Sequence, residues 1–334
     1  MRVLIIRCGA LGDLVASTSV IDALKSQFGQ ETTIDFVSTP GVGSIFKYDN
    51  RVHNVFLLKH KKIPIVFSKQ KKEVIHYSKA TPYDILINFE RGKQFETLVR
   101  KISAHKKVGH FFTPQATKKQ GLHTVEVKKL MFKELVSQEV FDSSFPRLIG
   151  NQQEDILSKY SLNKKYIIIS PSNSHQKRSM LNYRAWENNR WTELIELLSK
   201  KISVVIVGNK NEDAFFNKLK PYPTGVIDLV AKTPLPDLIE VIKYSQGVVS
   251  TDTGTAHIAS AVNTETFTLI GPTPAQQTGP FKTPTNKVNI ISLDLECAPC
   301  YRTQRMKECT DNICMKNISV SMVYKRIEDA ILLS

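Results

Sequence analysis

Residues 248–262, Val-Val-Ser-Thr-Asp-Thr-Gly-Thr-Ala-His-Ile-Ala-Ser-Ala-Val, constrain the fold more than any other stretch of this chain. A short apolar run ends in a turn rich in Ser, Thr and Gly. The turn opens a helix with small residues on one face. Asp252, Thr253, Gly254, Thr255 and His257 crowd together at that junction. In an open α/β sheet, ligands bind beyond the carboxyl ends of strands, where loops meet helix N-termini. Backbone N–H groups and the helix dipole favour an anion there. The stretch therefore reads as a site for a phosphate-bearing ligand. A junction of the same type lies at the start of the chain, in residues 3–14, Val-Leu-Ile-Ile-Arg-Cys-Gly-Ala-Leu-Gly-Asp-Leu. Two such junctions, so far apart, predict two domains facing one cleft.

The rest of the chain supports an α/β class. Residues 3–6 form a continuous apolar run, as a buried parallel strand does. Residues 13–28 place apolar side chains at helical spacing. Further strands are expected at 33–37, 52–58 and 83–88, the last running into a polar segment and another helix. Near 145–165 the composition turns polar, with Pro146, Gly150 and Asn151. A second alternating series then begins. It has strands at 166–170, 203–207, 225–229, 247–250 and 266–270, and helices at 191–199, 211–219, 235–245 and 320–333. Alternation of this kind predicts parallel sheets. The expected domains are 1–155 and 160–319, two Rossmann-like units, with a closing helix over 320–334. The length of 334 residues suits two domains.

Forty-six Lys and Arg against 31 Asp and Glu leave a net charge of +15, concentrated in the first half. The excess points to polyanionic partners: nucleic acid, anionic lipid or a phosphorylated glycan. General surface solubility is the plainer reading. Nucleic acid is disfavoured, because single-strand binding needs aromatics interleaved with the basic runs. Only Phe67 and Tyr77 stand near them. No run approaches the roughly 20 apolar residues of a membrane span. Residues 3–6 are too short for the apolar core of a signal peptide, and Arg7 interrupts them. The expectation is a cytoplasmic chain with reduced thiols.

At the first junction, Gly9 and Gly12 are closer than a dinucleotide fingerprint requires, and the third glycine is missing. Asp13 would repel a phosphate. It reads either as a helix N-cap or as a general base able to take a proton from a hydroxyl. The helix N-terminus would lower its pKa and desolvation would raise it. After the strand at 166–170 come Ser170 and then Lys177 and Arg178, cations suited to a diphosphate. A solvated basic loop is the alternative. Glu212, beyond the strand at 203–207, reads as a ribose hydroxyl acceptor or as a first-turn helix residue. Thr253, Gly254 and Thr255 offer N–H groups and hydroxyls to phosphate. Asp252 would shape that loop or bind a sugar hydroxyl. His257 is a ligand contact or a satisfied core histidine. Residues 271–274 and 279–280, Gly-Pro-Thr-Pro and Gly-Pro, form a rigid loop lining the same cleft.

Four of the five cysteines, Cys297, Cys300, Cys309 and Cys314, fall in one short segment. Four thiols match the donor set of a tetrahedral structural zinc, although the spacing fits no common finger. Four unligated, packed cysteines are the other reading.

With those residues in place, the chain resembles the family 9 glycosyltransferases, the lipopolysaccharide heptosyltransferases. The opening Val-Leu-Ile-Ile-Arg-Cys-Gly-Ala-Leu-Gly-Asp is similar to that family's N-terminus, and residues 250–261 to its nucleotide motif. Residues 269–280 are similar to the family segment just beyond that motif, and the cysteine segment to the C-terminal region of longer members. The resemblance implies a GT-B fold, with the nucleotide of ADP-heptose held by the C-terminal domain and a lipid-linked, phosphorylated core oligosaccharide received by the N-terminal one. It implies Asp13 as the base, with Gly9 and Gly12 on the acceptor side. It also implies Lys177 at the diphosphate, with Arg178 and Ser170 nearby, Glu212 at the ribose, and Asp252 and His257 at the donor. The reaction would be an inverting single displacement without a required cofactor or catalytic metal. The enzyme would sit peripherally at the anionic inner face of the inner membrane. The final helix would cross back to brace the N-terminal domain. Two departures stand out: Ser17-Thr-Ser19 replaces the family's Thr-x-Pro, and residues 179–189 interrupt the basic loop.

Overall fold

The computed structural model describes residues 1–59, 67–113, 121–162, 165–173 and 182–333. It divides into two compact units, Met1–Gly150 and Asn151–Ser334. No helix among the described residues is long and apolar enough to cross a membrane.

The first unit is built on a parallel sheet of β1 (Arg2–Ile6), β2 (Thr33–Ser38), β3 (Asn54–Leu57), β4 (Tyr83–Asn88) and β5 (Ala104–Gly109), in the order β3-β2-β1-β4-β5. Residues 3–6 of β1 are fully buried, as a strand covered on both faces must be. The chain runs outward from β1 through β2 and β3, then returns to add β4 and β5 on the other side. The order reverses between β1 and β4, which is where open sheets of this kind bind ligands. Around the sheet lie α1 (Leu11–Ser17), α2 (Ser19–Phe28), α3 (Lys69–Ala80), α4 (Lys93–Lys101) and α5 (Thr124–Phe132).

The second unit repeats the plan with β6 (Tyr166–Ser170), β7 (Ser203–Ile206), β8 (Ile227–Asp228), β9 (Gly247–Thr251), β10 (Thr266–Leu269) and β11 (Val288–Ile291). Their order is β11-β10-β9-β6-β7-β8, all parallel, and the reversal falls between β6 and β9. The helices used below are α6 (Asn188–Ser199), α7 (Leu235–Lys243), α8 (Gly254–Ala261) and α9 (Val320–Ile327). The core joins Ile167, Val249 and Phe267 of the sheet to Trp186, Trp191 and Leu194. The two tryptophan rings meet edge to face at 4.8 Å.

Two expectations change. The helix foreseen over 13–28 is two helices, broken at Thr18. Ser17 and Thr18 turn their hydroxyls back onto the Leu14 and Val15 carbonyls, competing with the helical ladder. Strands β5 and β11 lacked the expected apolar signature because they are the sheet edges, where Lys and Asn can stand. The last helix turns its apolar face into the second unit. Val320, Val323 and Ile327 of α9 are buried in that core, with α9 packed on α6.

Candidate active site

Both junctions singled out in the sequence lie at the reversal of strand order in their own unit. In the first, β1 runs through Arg7 and the turn at Gly9 into α1. Asp13 stands in the first turn of α1 but caps nothing; the N-cap position is Ala10. Its Oδ1 instead meets Arg7 Nη2 at 2.8 Å and Lys128 Nζ at 3.5 Å. Burial acts to raise the Asp13 carboxyl, but Arg7 and Lys128 outweigh it and hold the carboxyl below its ordinary value. The sequence left that contest open because neither cation is adjacent to Asp13 along the chain. Gly9 makes the arrangement possible: a Cβ there would lie 2.5 Å from the Arg7 guanidinium. Gly12 sits within α1 itself.

The end of β4 completes this half-site. Arg7 Nη1 donates to the Phe89 carbonyl at 3.0 Å and pairs with Glu90 Oε1 at 3.1 Å. The same Glu90 oxygen accepts the Cys8 N–H at 2.6 Å. Asn88 donates to the carbonyls of Glu90 and His110 at 3.0 Å each, tying β4 to β5. His110 Nε2 accepts from Arg91 Nε at 3.0 Å. Burial, followed by Arg91, Arg7 and Lys128, pushes its pKa down to about 4, so the ring is neutral at pH 7.

In the second unit, Ser170 at the tip of β6 donates to Thr255 Oγ1 at 3.0 Å, joining the end of β6 to the first turn of α8. Asp252 follows β9 and is buried. Thr253 is the N-cap position of α8, with Gly254 and Thr255 in its first turn and no side chain capping it. His257 Nε2 lies 4.0 Å from Asp252 Oδ1. Glu212 is occupied locally. Its Oε2 accepts the Asn209 N–H at 3.0 Å in a capping box and the Ser172 hydroxyl at 2.6 Å. Lys177 and Arg178 lie outside the described residues.

Sequence reasoning missed Arg184. It comes from the segment that looked like an interruption, and its Nη1 lies 3.3 Å from the Asp252 carbonyl and 3.4 Å from Asp252 Oδ2. Its guanidinium carbon sits 4.6 Å from the centre of the Tyr301 ring. Arg184 Nε, Thr251 Oγ1 and Thr253 Oγ1 are buried without a partner among the described residues. Leftover donors of this kind call for a ligand or water. The available signal was Arg184 standing two residues before the buried Trp186.

The zinc expectation does not fit. No group of three or more His, Cys, Asp or Glu among the described residues is arranged to hold a metal ion. The cysteines are free thiols, and Cys300 and Cys314 brace the loop after β10. The N–H groups of Cys300 and Tyr301 donate to the Pro272 carbonyl at 2.9 and 2.8 Å. Cys314 and Met315 press on Gly271 so closely that a Cβ there would lie within 2.9 Å of both. Burial, then the neighbouring thiols, raises Cys314 to about 11, so it is protonated at pH 7.

Solved structures share this architecture from end to end. The glycosyl transferase family 9 protein of Veillonella parvula superposes with a TM-score of 0.82 at 17% identity, covering 100% of this chain and 98% of that one. ADP-heptose LPS heptosyltransferase II of Escherichia coli gives 0.77 at 16% identity, covering 100% and 99%. Among curated sequences, lipopolysaccharide heptosyltransferase 3 of Escherichia coli is 23% identical over 286 residues, 78% of this chain and 81% of that protein. Two parallel-sheet units matched this completely define the GT-B fold. The sequence profile of glycosyltransferase family 9 (heptosyltransferase) matches residues 92–310, more than half of the chain. The chain belongs to that family.

Proposed function

We propose that the protein transfers heptose from ADP-heptose to a hydroxyl of the lipopolysaccharide inner core, with inversion. Asp13 takes the hydroxyl proton. The freed oxygen attacks the anomeric carbon, and the bond to the diphosphate breaks with its electron pair leaving on ADP. Arg184 and the α8 N-terminus meet the charge that develops on the departing diphosphate. Lys177 and Arg178 would add cations, Ser170, Thr253, Gly254 and Thr255 further hydrogen bonds. Glu212 would meet the ribose through Oε1, and Asp252 and His257 the sugar. Gly9 and Gly12 would admit the acceptor close to Asp13. No catalytic metal is required in this reading.

The observation that carries it is the convergence, on the turn after β9, of buried donors without a partner among the described residues, in a chain of the heptosyltransferase family. The name of the Escherichia coli ADP-heptose enzyme supports the donor. The net charge of +15 suits a phosphorylated acceptor at an anionic bilayer, with the chain working peripherally on its cytoplasmic face. Calorimetric titration with ADP, UDP and GDP, with and without magnesium, tests the donor. Selective ADP binding without magnesium is expected, followed by heptose transfer to a truncated lipopolysaccharide. A preference for UDP or GDP would keep the fold and mechanism and assign a different donor.

A further inference from the structure

Lys128 has no place in the chemistry just described, yet it is among the most confined charges in the first unit. It lies on α5, TVEVKKLMF, on the face that also buries Val125, Met131 and Phe132. An apolar residue would serve packing better at such a position, because a buried ammonium loses its hydration. Its Nζ points at Asp13 Oδ1, 3.5 Å away. Arg7 holds the same oxygen from the opposite strand end at 2.8 Å. None of the described bonds falls on Asp13 Oδ2. The Lys128 side chain is only 6% exposed, against 41% for Asp13. A substrate can therefore reach the carboxylate but not the ammonium.

From this geometry we infer that Lys128 is a positioning residue: with Arg7 it pins Asp13 by Oδ1 and leaves Oδ2 as the oxygen that receives the acceptor's proton. The inference rests on Asp13 being the base. A carboxylate held at one oxygen by two cations from different elements cannot swing about its Cβ–Cγ bond, and its free lone pairs keep one direction. Arg7 alone would not achieve this, since it is shared with Glu90 and the Phe89 carbonyl. The charged or titratable groups acting on the Lys128 ammonium are Arg7, Asp13 and Glu90. His110 and Arg91 lie on the far side of the same network. Burial, then Arg7, pushes Lys128 down to about 8, against the opposing pull of Asp13 and Glu90. The arrangement trades base strength for aim: the cations weaken Asp13 as a base while fixing its direction.

Lys128→Met and Lys128→Gln are compared with Asp13→Asn, using the full chain, ADP-heptose and a truncated lipopolysaccharide acceptor. For both Lys128 variants kcat is expected to fall 10- to 100-fold, the scale of a small misplacement at a reacting centre. The KM for acceptor and the affinity for ADP should stay within about threefold. The acid limb of the kcat/KM profile should move upward by about 1 pH unit as Asp13 loses a neighbouring cation. Wild-type kcat with an unmoved acid limb overturns the inference, as does a loss confined to acceptor KM. If Asp13→Asn itself transfers heptose normally, the general-base reading fails instead. A measurement on unaltered protein covers the case in which neither Lys128 variant folds. The 13Cγ signal of Asp13, identified by its loss in Asp13→Asn, should show a second inflection on the alkaline side, below the ordinary lysine range, as Lys128 deprotonates. A single acid transition, with no alkaline inflection at any pH at which the protein stays folded, overturns the pairing.

Discussion

Arg184 Nη1 reaches both the backbone carbonyl and the carboxylate of Asp252, at 3.3 and 3.4 Å. The contact is loose and bifurcated. It holds the guanidinium at the turn after β9 without using its Nε, which is buried and has no partner among the described residues. Tyr301, tied to the Pro272 carbonyl, flanks the same guanidinium. A cation stacked on a ring and only partly paired is available to an anion brought to the α8 N-terminus.

Arg184→Ala should therefore weaken ADP binding by about 1.5–3 kcal/mol, the range for a hydrogen bond to a charged group. Arg184→Lys should recover part of the loss, since an ammonium keeps the charge but not the planar fork. Calorimetric titration of ADP into the three proteins decides this. Equal affinities would remove Arg184 from the nucleotide site.

Asp13→Asn keeps the shape of the carboxylate but cannot take a proton. Heptose transfer should fall about 10²- to 10⁴-fold, the usual share of a general base. ADP affinity should not change, because Asp13 belongs to the first unit and the donors proposed for the nucleotide to the second. Steady-state rates alongside ADP titration check both halves of the statement.

His110 predicts a pH dependence of stability. Its folded pKa is depressed to about 4, against about 6.5 for an unperturbed histidine. Between those values the unfolded chain binds a proton that the folded one does not. Stability should therefore rise as pH goes from about 4 to 6.5, and this contribution should be flat above that window. His110→Gln should flatten the slope there. Urea unfolding of the first unit at pH 4.5, 5.5 and 7 would show it.

How much of this was legible in the sequence depended on chain locality. The strands β1, β6 and β9 and the two turns that come after β1 and β9 announced themselves, because a buried parallel strand is a continuous apolar run and its turn needs small residues. Asp13, Ser170 and Asp252 became candidates for that reason. Lys128 was not, since it stands 115 positions from Asp13 and looks like any lysine on an amphipathic helix. Glu90 follows β4 in a segment that read only as polar. Arg184 was hidden by a departure from the family pattern, although it lies at the same turn as the motif. The cysteine segment shows the opposite limit: four thiols close in sequence suggested a metal, but no group among the described residues is arranged to hold one, and two of the cysteines, Cys300 and Cys314, lie against the loop after β10. The edge strands β5 and β11 were missed because edges tolerate polar residues.

Gly109 links the fold to the proposed chemistry. It ends β5 opposite Asn88, with φ of +93°, a conformation that L side chains rarely adopt. A Cβ there would lie 2.2 Å from the Asn88 carbonyl oxygen, which already accepts the His110 N–H at 2.9 Å. The clash is with backbone, so no rotamer relieves it. Gly109→Ala should cost about 1–3 kcal/mol of stability, the scale of a non-glycine residue forced into a sparsely populated region. The damage should not stop at the strand. Asn88 holds the Glu90 carbonyl, Glu90 holds Arg7, and Arg7 holds Asp13. At temperatures where the variant remains folded, kcat should therefore fall while ADP affinity is retained. Thermal unfolding together with heptose-transfer rates tests the chain of contacts. A destabilised variant with wild-type kcat would show that the Asn88–Glu90 platform does not govern Asp13.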